Sequence, residues 1–302
     1  MFIADTHCDT LFAMGVARVP ADRLMVTPDK LRAGGIGLQT LALWTGPKGS
    51  RGDVAGIVRK ELDALPLLTG GGIPHVDSPD EALAAGVPCC MLSVEGGEVF
   101  EPGLDTVAEY RAMGVRMAAL LWNNENAIGY PAKSGDGRGL KPYGLEVARE
   151  MQRVGIAVDT SHLNEAGFWD IINKTNVPPM ASHSCCRALC DHFRNLTDEQ
   201  LRVLIRDGGY VGVNFYPAFL SDSAEADAER VAEHIDHICQ LGGGQSVGFG
   251  SDFDGIEITP ADLRGADEIP NLLDCLRRRG YTDEAIADIA GMNLVRYFRR
   301  IS

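Results

Sequence analysis

The sequence predicts an α/β protein, a (β/α)8 TIM-type barrel. Three observations predict it. Eight short apolar runs recur along the chain, helical stretches mostly lie between them, and no linker or low-complexity tract divides the 302 residues. Strict alternation of strands and helices implies a parallel sheet, and eight such units suit one closed barrel. An open doubly wound sheet is the structural alternative, but the strand count favours the barrel. Residues 1–302 are therefore read as a single barrel domain.

The predicted strands, in order, are Phe2–Asp5, Ile36–Trp44, Pro88–Val94, Val115–Leu121, Ile156–Asp159, Pro179–Ser182, Tyr210–Phe215 and Val247–Gly250. The helices between them carry start signals. Thr27-Pro28 puts proline at a first helical position. Ser78-Pro79-Asp80-Glu81 reads as a capping box, Thr197 with Gln200 as another, and Thr282 as the cap of the last helical region. Gly86, Gly114, Gly155 and Gly208 close helices just before a predicted strand. The stretch from Trp122 to Pro142 has no periodicity and is rich in Asn and Gly. A loop that long in a compact domain is usually functional, and it is read as a flexible lid over a site. Its Gly135–Gly139 run does not fit a phosphate-binding fingerprint.

Composition narrows the function classes. Hydrophobic residues make up 45% and charged residues 23%, which is ordinary for a globular protein and argues against disorder. The 28 Lys+Arg against 42 Asp+Glu leave a net charge of -14, which would repel nucleic acid or an anionic membrane. No apolar run approaches the roughly 20 residues of a bilayer span. The eight cysteines form no CxxC pair. They read as small buried hydrophobes in a reducing compartment. The N-terminus lacks a basic segment followed by an apolar run, so a cytoplasmic location is expected.

Chemistry gathers where the strands end. The first strand runs into His7 and Asp9, the third into Glu95, the fifth into His162, the sixth into His183 and the eighth into Asp252. In a barrel these C-terminal ends converge on one face. His7 and Asp9 are two apart, so in an extended chain both face the same way while Cys8 points elsewhere. That orientation argues against Cys8 as a nucleophile. Imidazole and carboxylate suit zinc and similar divalent ions. Glu95 could bridge two metals with its two oxygens, and His162 and His183 could complete the second. Such a pair can share a hydroxide. Each residue alone also reads as an ordinary polar strand end; the set of five strand ends is what points to a metal site. His234 and His237 sit three apart on a predicted helix, Val231 to Leu241, and are read as non-ligands. His75 and His192 lie in loops and carry no argument.

These segments together resemble the membrane (renal) dipeptidase family, the M19 metallopeptidases, in a compact bacterial-type form. Asp5-Thr-His-Cys-Asp9, Val94-Glu-Gly-Gly97, Asp159-Thr-Ser-His162, Ser182-His-Ser184, Arg194-Asn195, Val213-Asn-Phe-Tyr216 and Gly248-Phe-Gly-Ser-Asp-Phe-Asp-Gly255 are similar to its motifs in order and spacing. The resemblance implies a metal-dependent hydrolase barrel with two Zn2+. His7 and Asp9 would hold one zinc, Glu95 would bridge both, and His162 and His183 would hold the second. Asp252 would shuttle the proton of the bridging water. Arg194 would bind the substrate's C-terminal carboxylate with Tyr216 nearby, a role that suits a guanidinium. The mammalian type carries a histidine after the fourth strand. Here that stretch reads Leu121-Trp122-Asn123-Asn124. Asn123 could donate to an oxyanion, and Trp122 could form a pocket wall.

The expected activity is hydrolysis of small dipeptides by a metal-bridging hydroxide, with tolerance for a D-residue at the C-terminal position. The alternatives are another dinuclear amidohydrolase acting on a small or cyclic amide, and a non-catalytic metal-binding barrel. The expected partners are a dipeptide substrate and, at most, a second copy in a homodimer. Neither nucleic acid nor a membrane is expected.

Overall fold

The structure, a computed structural model, describes residues 1–47, 53–176 and 178–301. Eight parallel strands close into a barrel in sequence order. They are β1 (Ile3–Asp5), β2 (Ile36–Trp44), β3 (Cys89–Glu95), β4 (Val115–Ala119), β5 (Ala157–Asp159), β6 (Met180–Ala181), β7 (Tyr210–Val213) and β8 (Val247–Phe249). Asp5 pairs with Phe249 and closes the ring. The barrel, rather than the open sheet, is the fold.

Side-chain parity divides the core in two. On β3, Cys90, Leu92 and Val94 belong to the large cluster between strands and helices. Cys89 and Met91 belong to a smaller cluster with Ala4, Leu38, Met117, Ala157, Met180 and Tyr210. Alternation along a strand makes the second set the barrel interior. Leu294, Tyr297 and Phe298 of the last helix (Asn293–Ile301) join that interior cluster and plug its lower end. The same parity points Trp44, Glu95, Asp159, Ser182 and Asn214 inward at the upper end. Gly212 is also inward, and a Cβ there would fall 2.1 Å from the Ser182 carbonyl oxygen. Only glycine lets β7 lie that close.

The capping signals hold. Thr27, Thr197 and Thr282 each accept from a backbone N–H of the first turn, and Thr197 with Gln200 forms the full reciprocal box. Ser78 accepts from Glu81 N–H, but Glu81 reaches back to the Asp77 N–H instead of that of Ser78. Gly155 ends its helix at φ 78°, with its N–H on the Gln152 carbonyl. All eight cysteines are free, and seven are buried. No helix among the described residues is long and apolar enough to cross a membrane.

The 122–142 stretch departs from the expected flexible lid. Asn126 donates to Leu120 O and accepts from the N–H groups of Ile128 and Gly129. Further along, Asn164 Nδ2 donates to the carbonyls of Asp136 and Arg138, and Leu140 N–H donates to Asp170. The stretch is a pinned wall, because its polar side chains and backbone find partners that sequence periodicity does not register.

Candidate metal centre

The upper rim brings the strand-end residues together. His7 Nε2 lies 3.5 Å from Asp9 Oδ2, 3.9 Å from Glu95 Oε2 and 3.7 Å from Asp252 Oδ1. On the other side of Glu95, Oε1 lies 2.8 Å from His162 Nε2 and 3.5 Å from His183 Nε2. The two histidine nitrogens are 3.0 Å apart. Glu95 thus presents one oxygen to each half of the cluster. Two overlapping groups, His7–Glu95–His183 and His7–Asp9–Asp252, have donor atoms close enough to share one ion.

Two matching devices hold these ends. Asp5 on β1 accepts from the N–H of Ser251, the hydroxyl of Ser251 and the N–H of His7. Asp159 on β5 accepts from the N–H groups of Ser161 and Ser182 and from the Ser182 hydroxyl. Each buried carboxylate ties its strand end to the neighbouring strand beside a histidine. Ser182 Oγ also lies 2.7 Å from His183 Nδ1. His162 and Asp252 sit at φ 69° and 64°, a region that non-glycine residues rarely occupy and that often accompanies functional sites.

The electrostatics call for a cation. Burial opposes charge on His7, but the Glu95, Asp9 and Asp252 carboxylates outweigh it and push its pKa up to about 10. Burial pushes Glu95 well above the usual carboxylate range, and Asp9 adds to the effect. Asp252 is pushed up to about 6, by burial first. Burial and the Arg194 and His7 charges hold His162 and His183 well below the usual imidazole range, so both are neutral with ligand lone pairs. His7 Nε2 and Asp9 Oδ1 are buried without a hydrogen-bond partner. Buried polar atoms are seldom left so. A donor set of imidazoles and carboxylates around such orphans fits zinc or a similar divalent ion.

A cavity of about 490 Å³ opens over the cluster. Arg194, only 5% exposed, lines it. Its Nη2 reaches the His183 carbonyl at 3.5 Å, its Nε has no partner, and its guanidinium lies 5.5 Å from the Phe219 ring centre. Tyr216, Trp122 and Asn123 line the same cavity. Tyr216 packs edge-on to Phe219 and Trp122 edge-on to Trp44. Asn123 Oδ1 lies 3.2 Å from His162 Nδ1.

Sequence reasoning passed over several neighbours. Asn214 donates to Asp252 Oδ2 and accepts from the Tyr216 N–H. His192 lines the cavity, accepts from the Arg194 N–H and stacks on Phe219. Phe12 and Trp44 extend the Trp122 wall. The only signal for Asn214 and His192 was their place beside the Val213–Tyr216 and Arg194-Asn195 segments. His234, expected not to be a ligand, is a buried linker. Its Nδ1 accepts from Cys186 N–H, and its Nε2 lies 3.0 Å from Leu220 O.

The chain is thus a closed parallel barrel whose C-terminal rim, where barrels of this class carry their sites, gathers a candidate metal-binding cluster of histidines and carboxylates. The chain belongs to the membrane dipeptidase family, peptidase family M19, whose sequence model matches residues 1–302. An uncharacterized dipeptidase of Schizosaccharomyces pombe is 36% identical over 239 residues, 76% of this chain and 58% of that protein. An uncharacterized Klebsiella pneumoniae protein encoded in the pqqA 5′ region is 35% identical over 222 residues, 70% of this chain and 81% of that one. This chain thus spans little more than half the length of the yeast relative.

Two solved structures share the fold. A metallopeptidase of Rhodobacter sphaeroides, bound to a phosphinate mimic of L-Ala-D-Ala, superposes with a TM-score of 0.91 at 23% identity. It covers 100% of this chain and 99% of that one. The probable dipeptidase PvdM of Pseudomonas aeruginosa gives 0.90 at 19% identity, covering 100% and 95%.

Proposed function

We propose that this protein is a zinc-dependent dipeptidase. The observation that carries the reading is the pair of ligand sets sharing Glu95, with the buried atoms His7 Nε2 and Asp9 Oδ1 left unpartnered. His7, Asp9 and Glu95 would hold one ion, and Glu95, His162 and His183 the other. A divalent pair supplies Lewis acidity, which lowers the pKa of water toward neutral and polarises a scissile carbonyl.

The chain's own residues do the rest. Arg194 receives the free C-terminal carboxylate, because its unpartnered Nε faces a demand that a carboxylate meets. A buried guanidinium at that end restricts the substrate to short peptides. Asp252, oriented by Asn214, takes the proton of the attacking water on Oδ1 and returns it to the leaving amine. Trp122, Trp44 and Tyr216 exclude water from the side-chain subsites. Tolerance of a D-residue at the C-terminal position is part of the proposal. Its support is the family relationship and the ligand of the Rhodobacter neighbour. Residues 1–302 act as one barrel domain in the cytoplasm, in keeping with eight unpaired thiols.

The test pairs metal analysis with hydrolysis of L-L and L-D dipeptides against their tripeptide and C-terminal amide versions. Two metals per chain and a strong preference for the free-acid dipeptides are expected. Fewer than two metals in active protein would remove the dinuclear reading, and equal activity on amides would remove the Arg194 role.

A further inference from the structure

We infer that Asn123 is a positioning residue that, together with the backbone of Ala132, braces His162 in the tautomer and orientation needed to ligate a metal. The inference rests on the metal reading above and assigns the 122–142 segment a new task.

His162 needs support. Its φ of 69° is a conformation that an L side chain rarely adopts. The 122–142 segment supplies contacts on both sides of the residue. The Ala132 N–H donates to the His162 carbonyl at 2.9 Å, and Pro131 forms an antiparallel bridge with Leu163. On the ring, Asn123 Oδ1 sits 3.2 Å from Nδ1. An amide oxygen accepts only, so it selects the tautomer with the proton on Nδ1. Nε2 then keeps its lone pair, and it is Nε2 that faces Glu95 Oε1 at 2.8 Å. The other tautomer would place an N–H there and close that ligand position.

His183 is arranged differently. Its Nδ1 partner is Ser182, the preceding residue, itself tied to Asp159 in the barrel wall. His162 instead takes its ring partner from the segment after β4. That segment is fixed at its near end, where Asn126 donates to Leu120 O at 3.0 Å. At its far end Asn164 Nδ2 holds the Asp136 carbonyl at 2.6 Å. Both anchors flank the strands that bear the site, so the brace is rigid where it meets His162.

The test measures zinc affinity of the full-length chain by chelator competition, for wild type, Asn123→Ala and Asn123→Asp. Outer partners of ligating histidines typically contribute about 10–100-fold in metal affinity, so N123A should weaken one of two sites by that factor and leave the other within about twofold. N123D keeps an acceptor at the same reach and should restore the weakened site. Unchanged affinity of both sites in N123A overturns the brace. A second readout needs neither zinc nor a variant. 15N spectra of metal-free wild-type protein should show His162 as the Nδ1–H tautomer, and the Nε2–H form overturns the inference. A wild-type chain that binds no zinc removes the metal reading, while the tautomer still decides whether Asn123 sets the ring.

Discussion

Asp252 takes a hydrogen bond on Oδ2 from Asn214 and turns Oδ1 toward His7, 3.7 Å away. In the proposed mechanism the two oxygens would have separate tasks, Oδ2 orienting the carboxylate and Oδ1 exchanging a proton. Asp252→Asn preserves size and an oxygen but removes the proposed base. Metal content should stay near wild type while kcat falls about 10²–10⁴-fold, the usual contribution of a positioned acid/base. Near-normal turnover would take Asp252 out of the proton pathway. Arg194 poses a different problem, because it is buried with an unpartnered Nε. A charge-assisted contact of about 1.5–3 kcal/mol corresponds to roughly 10–100-fold in kcat/KM. Arg194→Met should lower kcat/KM for dipeptides by that factor and leave their C-terminal amides nearly unchanged. A parallel loss on both substrates would contradict carboxylate recognition.

Among the elements, the helix Ala228–Ile238 is pinned by a histidine that holds two other segments. His234 accepts from Cys186 N–H and pairs with Leu220 O, and it is fully buried. Burial lowers its pKa to about 4, with the nearby Arg230 charge acting in the same direction. The unfolded chain protonates this imidazole near its ordinary value of about 6.5, so between there and 4 the unfolded state binds more protons. Stability must fall as pH drops through that window, by about 3 kcal/mol at full effect. Denaturation midpoints measured from pH 7 to 4 should show a slope that His234→Gln reduces. A second element rests on a cap. Thr197 closes the full capping box of helix Asp198–Arg206, and Thr197→Ala should cost about 1 kcal/mol in denaturant unfolding without altering activity.

For the molecule as a whole, the two ends of the barrel carry different burdens. The upper end holds the titratable cluster, while the lower end is a largely apolar plug that includes Met91, Met117, Met180, Tyr210, Tyr297 and Phe298. Phe298 is 1% exposed. Removing its ring leaves a cavity beneath strands whose other ends carry the proposed ligands. Phe298→Ala should destabilise the fold by about 3–5 kcal/mol. Turnover per folded molecule should nonetheless remain near wild type at low temperature. Conservation of stability with loss of turnover, the opposite pattern, would show that the plug and the site are coupled through the strands.

Much of this was legible in the order of residues. The eight strands lie within two residues of their expected bounds, because short apolar runs flanked by helix-closing glycines and threonine caps mark strand ends locally. The His-x-Asp pair, Glu95 and the later histidines were visible because each stands at or just after the C-terminal end of a strand, and in a barrel those ends converge on one face. Strand parity does not place His162 and His183, since Asp159 and Ser182 take the inward positions. What the sequence by itself determined was therefore the set of chemical groups and the end of the barrel that carries them. Their distances were decided by closure, where Asp5 meets Phe249 and residues nearly 250 positions apart become neighbours. The pairings of Asn123 with His162, Asn214 with Asp252 and His192 with Phe219 were hidden too, since the two members of each pair lie in different segments of the chain. A polar, aperiodic stretch reads as a loose lid from sequence, because sequence periodicity reports only a segment's own repeat. Whether such a stretch is loose or braced depends on hydrogen bonds to other strands, and those exist only once the barrel has formed.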